Sequence, residues 1–140
     1  MLCEIDGSES EVHEHCARVA ELFKTHSATS IRISASEEER ALLWKGRKSA
    51  FPAVGRISPD YYCMDGTIPR SKLAAVLTAM SEMSDHFGLR VANVFHAGDG
   101  NLHPLILFDN SVPGEFERAE AFGASILEIC VSVGLSLIPI

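Results

Sequence analysis

Residues 93–109 read NVFHAGDGNLHPLILFD, and this stretch decides the fold of the chain. Two apolar runs flank the pair Asp99-Gly100, which is a strong signal for a β-hairpin with a tight turn. With the turn centred on that pair, His96 lies directly opposite His103. The prediction depends on register, because a slip of the turn changes which residues face each other.

The facing histidines are the first candidate for a functional site. Directly opposed side chains on one face of an antiparallel pair have Cβ atoms about 4.5–5.5 Å apart. Two imidazoles at that spacing can both reach one metal ion at about 2.0–2.1 Å. The spacing also allows the alternative of a half-buried polar pair without a ligand, and it supplies no third ligand. Gly98 and Gly100 are expected to allow positive φ in the turn. Asn101 is predicted either to stabilise the turn or to contact a substrate.

Working outward from the hairpin, the apolar patterns predict the element order β-α-β-α-β-α-β-β-α. Strands are expected at residues 2–5, 31–33, 61–68, 90–95 and 102–108. Two S-x-x-E capping boxes, at Ser8 and Ser36, predict the starts of the first two helices, and Pro52 is expected to stop the second before a loop at residues 52–60. Pro69 and Pro113 are predicted to open the other two. This order indicates an α+β fold, a ferredoxin-like antiparallel or mixed sheet with helices packed on one face.

Composition excludes several classes of function. The 140 residues suit one domain, with 46% hydrophobic and 22% charged residues. A net charge of −7 without clustered Lys or Arg argues against a nucleic-acid partner. No apolar stretch is long enough for a transmembrane segment, and the acidic start MLCEIDGSES is unlike a signal peptide.

The cysteines predict a reducing compartment. Cys3, Cys16, Cys63 and Cys130 are far apart and form no C-x-x-C pair, so neither structural zinc nor a disulfide framework is expected. Each is interpreted as a small buried hydrophobic residue. Unpaired thiols in an acidic chain favour a cytoplasmic location.

Arg47 is the candidate for anion recognition. It lies late in the second predicted helix, within WKGRK, and a guanidinium is a natural clamp for a substrate carboxylate. Composition alone favours the alternative, a surface charge at a helix end.

Two long motifs carry a resemblance to a known family. They are LLWKGRKSAFPAVGRISPDYYCMDGTIPRSKL at residues 42–73 and RVANVFHAGDGNLHPLILFD at residues 90–109. The chain resembles the C-terminal cap domain of FAD-linked oxidases, among the vanillyl-alcohol-oxidase-like flavoproteins, and is most similar to the glycolate-oxidase type. The likeness assigns residues 1–134 to that domain and leaves residues 135–140, LSLIPI, as an apolar tail outside it.

The resemblance implies oxidation of a 2-hydroxy acid, with hydride passing to FAD that an N-terminal domain binds. It implies that His96 and His103 hold a divalent metal (Zn, Mn or Fe) and that Arg47 contacts the substrate carboxylate. It also implies partner subunits in a glycolate-oxidase-type complex.

The departures from the family pattern limit that expectation. The FAD-binding domain is not in the sequence, and the family's Glu-His segment, which supplies a metal ligand and a base, does not follow VSVG. No catalytic residue is therefore assigned within the chain, and the isolated chain is expected to have little activity. The alternative is a stand-alone metal-binding or interaction module that complements a separate FAD-binding chain.

Overall fold

The computed structural model describes residues 1–134 and divides into two compact units, Met1–Ser49 and a second that begins at Ala50. The predicted apolar tail at residues 135–140 lies outside the described residues. Helices and an antiparallel sheet together confirm the α+β class. No helix among residues 1–134 has the length and apolarity needed to cross a bilayer.

The first unit contains α1 (Glu9–Thr25) and α2 (Glu37–Lys48). The predicted capping box is present at Ser8, whereas at Ser36 only the N-cap half forms, because the Glu39 carboxylate accepts from the Ala35 N–H instead of the Ser36 N–H. The backbone N–H of Ser8 donates to the Glu11 carboxylate at 2.9 Å, and the N–H of Glu39 donates to Ser36 Oγ at 3.3 Å. Both caps satisfy backbone donors at or next to a helix start.

The strands predicted at residues 2–5 and 31–33 are wrong, since neither segment is a strand in the structure. A strand needs a neighbour to complete its hydrogen-bond ladder, and the first unit has no described strand that could serve as one. Both segments instead line an apolar cavity of about 640 Å³ against the inner faces of α1 and α2.

The second unit carries the other elements. These are α3 (Ala50–Val54), β1 (Asp60–Cys63), β2 (Gly66–Thr67), a 3₁₀ turn (Arg70–Lys72), α4 (Leu73–Phe87), β3 (Val91–His96), β4 (Asn101–Phe108) and α5 (Glu115–Ser132). Pro52 does not stop α2, which ends earlier, and the first part of the predicted loop is helical. Proline is tolerated there because the first turn of a helix needs no N–H donor.

β4 is the central strand of the sheet. It pairs antiparallel with β3 on one side and with both β1 and β2 on the other. β1 and β2 share one register along β4, so the single strand predicted at residues 61–68 is interrupted rather than misplaced. The break at Met64-Asp65 lies opposite Pro104, whose carbonyl accepts the Met64 N–H at 3.2 Å but which has no N–H to return.

The two faces of β4 are buried by different helices. Leu102 and Ile106 pack against α4 and α5 in the main core, where Met80 and Phe122 are fully buried. The alternate residues Leu105 and Leu107 face the opposite side, where they pack against Val54 and Phe51 of α3. The prediction of helices on one face therefore holds for the two long helices, while α3 covers part of the second face.

Candidate functional site

The hairpin forms as predicted, but the predicted register is wrong. His96 pairs with Asn101, and His103 pairs with Val94, so the two histidines are not directly opposite each other. The residue that pairs with each histidine is therefore two positions away from the one that was predicted. Because side chains alternate with a period of two, this displacement keeps both histidines on one face as diagonal neighbours.

The loop explains the displacement. A two-residue hairpin turn at Asp99-Gly100 would need positive φ at Asp99, but of the two residues only Gly100 adopts it, at 70°. Instead, the Asp99 N–H donates to the His96 carbonyl at 3.1 Å, and the left-handed Gly100 follows this turn. The predicted positive φ of Gly98 is also wrong. Gly100 alone needs glycine at this tip, since a Cβ there would lie 2.1 Å from the carbonyl oxygen of Ile68.

The two imidazoles remain close in this diagonal arrangement. The ring centroids of His96 and His103 are 5.8 Å apart, with their planes at 87°. His96 is exposed at the end of β3, and the His103 side chain keeps 19% of its surface accessible. The pair is therefore reachable from solvent and has the donor chemistry of a metal site.

Two further residues of the second unit surround His103. Asp65 Oδ1 lies 3.5 Å from His103 Nδ1, and the Phe51 ring makes an edge contact with the imidazole at a centroid distance of 6.4 Å. Neither residue was predicted from the sequence as part of a site. The signal for Asp65 was an acidic residue inside an apolar strand, YYCMDGTI, but its position opposite His103 depends on pairing with β4.

Asn101 lies on the same face, directly opposite His96. Its Oδ1 atom is buried and receives no hydrogen bond from the described residues. A buried amide oxygen without a donor costs free energy, which makes a donor from a ligand or from water a reasonable partner. Its role as a substrate contact stays a prediction.

Arg47 belongs to the first unit, in the last turn of α2 with Lys45 and Lys48. Cations there interact favourably with the helix dipole, which accounts for the three without a ligand. The structure brings His96, His103 and Asn101 together in the second unit. The carboxylate contact predicted for Arg47 stays a prediction.

The fit to a metal ion is partial. Two imidazoles on one face suit a divalent ion, but a catalytic ion usually has three protein ligands. Across residues 1–134, no group of three or more His, Cys, Asp or Glu side chains is arranged to hold a metal. The pair thus fits two positions of a coordination set and leaves the others open.

The cysteines differ from their predicted environment. All four are free, but Cys3 and Cys63 are exposed, and only Cys130 is fully buried. Partial burial, followed by the nearby negative charge of Asp65, raises the pKa of the Cys63 thiol. Burial raises the pKa of Cys130. Neither is an activated nucleophile.

The chain is similar to known proteins over nearly its whole length. Residues 1–137 match the family model "FAD linked oxidases, C-terminal domain". The chain is 61% identical to glycolate oxidase subunit GlcD of Escherichia coli K12, over 98% of the chain and 28% of that protein. It is 32% identical to GlcD of Bacillus subtilis, over 96% of the chain and 28% of that protein. It is 31% identical to a mitochondrial D-lactate dehydrogenase [cytochrome] of Arabidopsis thaliana, over 86% of the chain and 21% of that protein. The chain thus spans less than a third of the length of these relatives.

Proposed function

The chain belongs to the family of FAD linked oxidases, C-terminal domain, and from this membership we propose that it forms part of a flavin-dependent 2-hydroxy-acid oxidase or dehydrogenase. FAD is the cofactor of the family. The observation that carries the proposal is the histidine pair His96 and His103 on an accessible sheet face. Glycolate and D-lactate, which name the activities of the relatives, define the substrate class.

We propose that His96 and His103 provide two ligands to a divalent ion such as Zn²⁺, Mn²⁺ or Fe²⁺. Such an ion, when bound, supplies Lewis acidity that lowers the pKa of a coordinated 2-hydroxyl group. The neutral imidazoles contribute lone pairs without adding charge, so the ion keeps its full electrostatic effect on the substrate oxygen. The remaining positions of the ion stay open for other ligands and for the substrate.

Asn101 and Arg47 are proposed as the groups that orient the substrate. The buried Asn101 Oδ1 can accept a hydrogen bond from a hydroxyl, and its pairing with His96 supports a role next to one of the proposed ligands. Arg47 can hold a carboxylate in the bidentate geometry that fixes a planar anion. Orientation of this kind lowers the entropic cost of bringing the substrate into the geometry that hydride transfer to FAD requires.

Partner subunits are part of the proposal. Both bacterial relatives are named as subunits of glycolate oxidase, which supports assembly of this chain with other subunits. A cytoplasmic location also stays a prediction.

Metal titration of the full 140-residue chain tests the ligand pair directly. Isothermal titration with Zn²⁺ or Mn²⁺ should show one site that is lost in His96→Ala and in His103→Ala. His86→Ala, which removes an exposed histidine from α4, should leave it intact. Binding that survives both hairpin substitutions, or that is missing from the unaltered chain, would contradict the metal assignment.

A chimera tests the reaction. Residues 1–137 replace the matching region of the E. coli relative, and dye reduction is followed with glycolate and with D-lactate. The chimera should turn over, whereas His96→Ala and His103→Ala should abolish metal retention and activity. Arg47→Ala should raise KM by about 10- to 100-fold, since a charged hydrogen bond contributes about 1.5–3 kcal/mol. Unchanged kinetics in Arg47→Ala would remove it from the substrate site.

A further inference from the structure

Asp65 lies in register with His103 although it belongs to no strand. The Met64 N–H donates to the Pro104 carbonyl, and Gly66 pairs with Leu102. Asp65, the residue between them, therefore lies opposite His103 on β4. The two side chains lie on one face, in the type of antiparallel pair where Cα atoms approach to about 4.5 Å. The observed distance from Asp65 Oδ1 to His103 Nδ1 is 3.5 Å.

The break in the edge strand leaves Asp65 free to approach the ring. Pro104 cannot return a hydrogen bond to Met64, and regular pairing stops there. The Asp65 side chain is 71% exposed, so its carboxylate can rotate by the small amount that turns a 3.5 Å contact into a hydrogen bond.

The other contacts of His103 do not compete for Nδ1. The ring centroid of Phe51 lies 6.4 Å from that of His103, and the Phe51 side chain has no hydrogen-bonding group. His96 lies at 5.8 Å with its ring nearly perpendicular. Among the described residues, Asp65 is thus the carboxylate that Nδ1 meets.

We propose that Asp65 is a positioning residue, which accepts the Nδ1–H of His103 and thereby leaves Nε2 as the metal-binding atom. This inference rests on the proposed function, because it assigns a partner to one of the two proposed ligands. The hydrogen bond made by one ring nitrogen sets which nitrogen carries the proton, and it also fixes the ring orientation.

The tautomer of His103 in the metal-free chain gives the first test. Long-range ¹H–¹⁵N NMR on the full chain at about pH 8, above the ordinary histidine pKa of about 6.5, reports which nitrogen is protonated. The proposal expects the Nδ1–H form of His103, which should fall in Asp65→Ala and persist in Asp65→Asn, since the amide oxygen still accepts. A His103 tautomer that is Nε2–H, or that does not change in Asp65→Ala, would overturn it.

Zn²⁺ affinity gives the second test. Asp65→Ala should weaken binding by about 10- to 100-fold, the usual effect of removing such a partner. Asp65→Asn should weaken Zn²⁺ binding much less. Equal losses of affinity in the two variants would show that Asp65 is itself a ligand and would overturn the positioning role. Asp85→Ala, which removes an exposed carboxylate from α4, controls for net charge. If the unaltered chain does not bind Zn²⁺, the proposed metal site fails, and the tautomer still decides whether Asp65 orients the ring.

Discussion

The backbones of Gly100 and Ile68 are in direct contact at the tip of the hairpin. The Ile68 N–H donates to the Gly100 carbonyl at 2.9 Å, and a Cβ on Gly100 would lie 2.1 Å from the Ile68 carbonyl oxygen. Gly100 also has a left-handed φ of 70°. This contact ties the loop that follows β2 to the turn that positions His96 and Asn101.

Replacing Gly100 by alanine should therefore be strongly destabilising. The left-handed conformation costs about 1–2 kcal/mol for a residue with a Cβ, and the clash with a backbone atom adds about 1–3 kcal/mol. Urea denaturation followed by circular dichroism should show the loss. Gly98→Ala is the matched control, because a Cβ at Gly98 meets nothing within 4 Å. Equal stability of the two variants would contradict the close approach.

The register of the hairpin shows what sequence could and could not predict. The Asp-Gly pair correctly predicted a turn, and the period of two correctly put His96 and His103 on one face. The sequence could not show that Asp99 keeps negative φ, because Gly100 contacts Ile68, which directly follows β2 and is distant in sequence. Asp65 was missed for the same reason: its position opposite His103 arises from strand pairing.

The helices were predicted more accurately than the strands because their signals are local. The capping box at Ser8 and the N-cap at Ser36 determine where α1 and α2 begin, and those bonds join residues three apart. Residues 2–5 and 31–33 have strand-like composition, but a strand exists only with a partner. Local sequence carries no information on whether that partner is available.

Gly123 in α5 should be intolerant of a side chain. A Cβ there would lie 2.9 Å from Met64 Sδ and 3.0 Å from Tyr62 Cε1. Alanine improves helix propensity by about 1 kcal/mol, but overpacking costs about 1–3 kcal/mol, so Gly123→Ala should be destabilising by about 1 kcal/mol.

The control for this prediction is Gly46→Ala in α2, where a Cβ meets nothing within 4 Å. It should be neutral or stabilising, because only the propensity gain applies. Thermal denaturation of both variants measures the difference in sign. A stabilising Gly123→Ala would mean that Met64 and Tyr62 move aside without cost.

The start of α1 should lose stability at acidic pH through Glu11. Hydrogen bonds from the hydroxyl and the backbone N–H of Ser8 hold the pKa of Glu11 below its ordinary value of 4.5. A pKa lower in the folded than in the unfolded chain means that the carboxylate stabilises the helix above pH 4.5. That stabilisation is lost as the pH falls through the folded pKa.

Glu11→Gln should flatten this part of the pH dependence. Helicity and denaturation midpoints measured from pH 6 to about pH 3 should converge for the two chains at the acidic end, because the unaltered chain is then protonated too. Glu9→Gln removes a charge from the same first turn without the bonds to Ser8 and is the control. Parallel pH profiles for the unaltered chain and Glu11→Gln would contradict the assignment.

The alkylation rates of the cysteines should depend on the pKa of each thiol as well as on its exposure. Alkylation requires the thiolate, so a raised pKa slows an exposed cysteine. Cys63 is exposed, but partial burial of its thiol and the charge of Asp65 raise its pKa, and its labelling should rise at higher pH in the folded chain than in urea. Cys130 is buried with a raised pKa and should stay unlabelled until the chain unfolds.

Mass spectrometry of iodoacetamide-treated peptides, over a pH series with and without urea, measures each site. If Cys63 gives the same pH curve in both conditions, its local environment does not control its reactivity. If Cys130 in the folded chain reacts as fast as the exposed Cys3, α5 does not pack against the sheet closely enough to protect it.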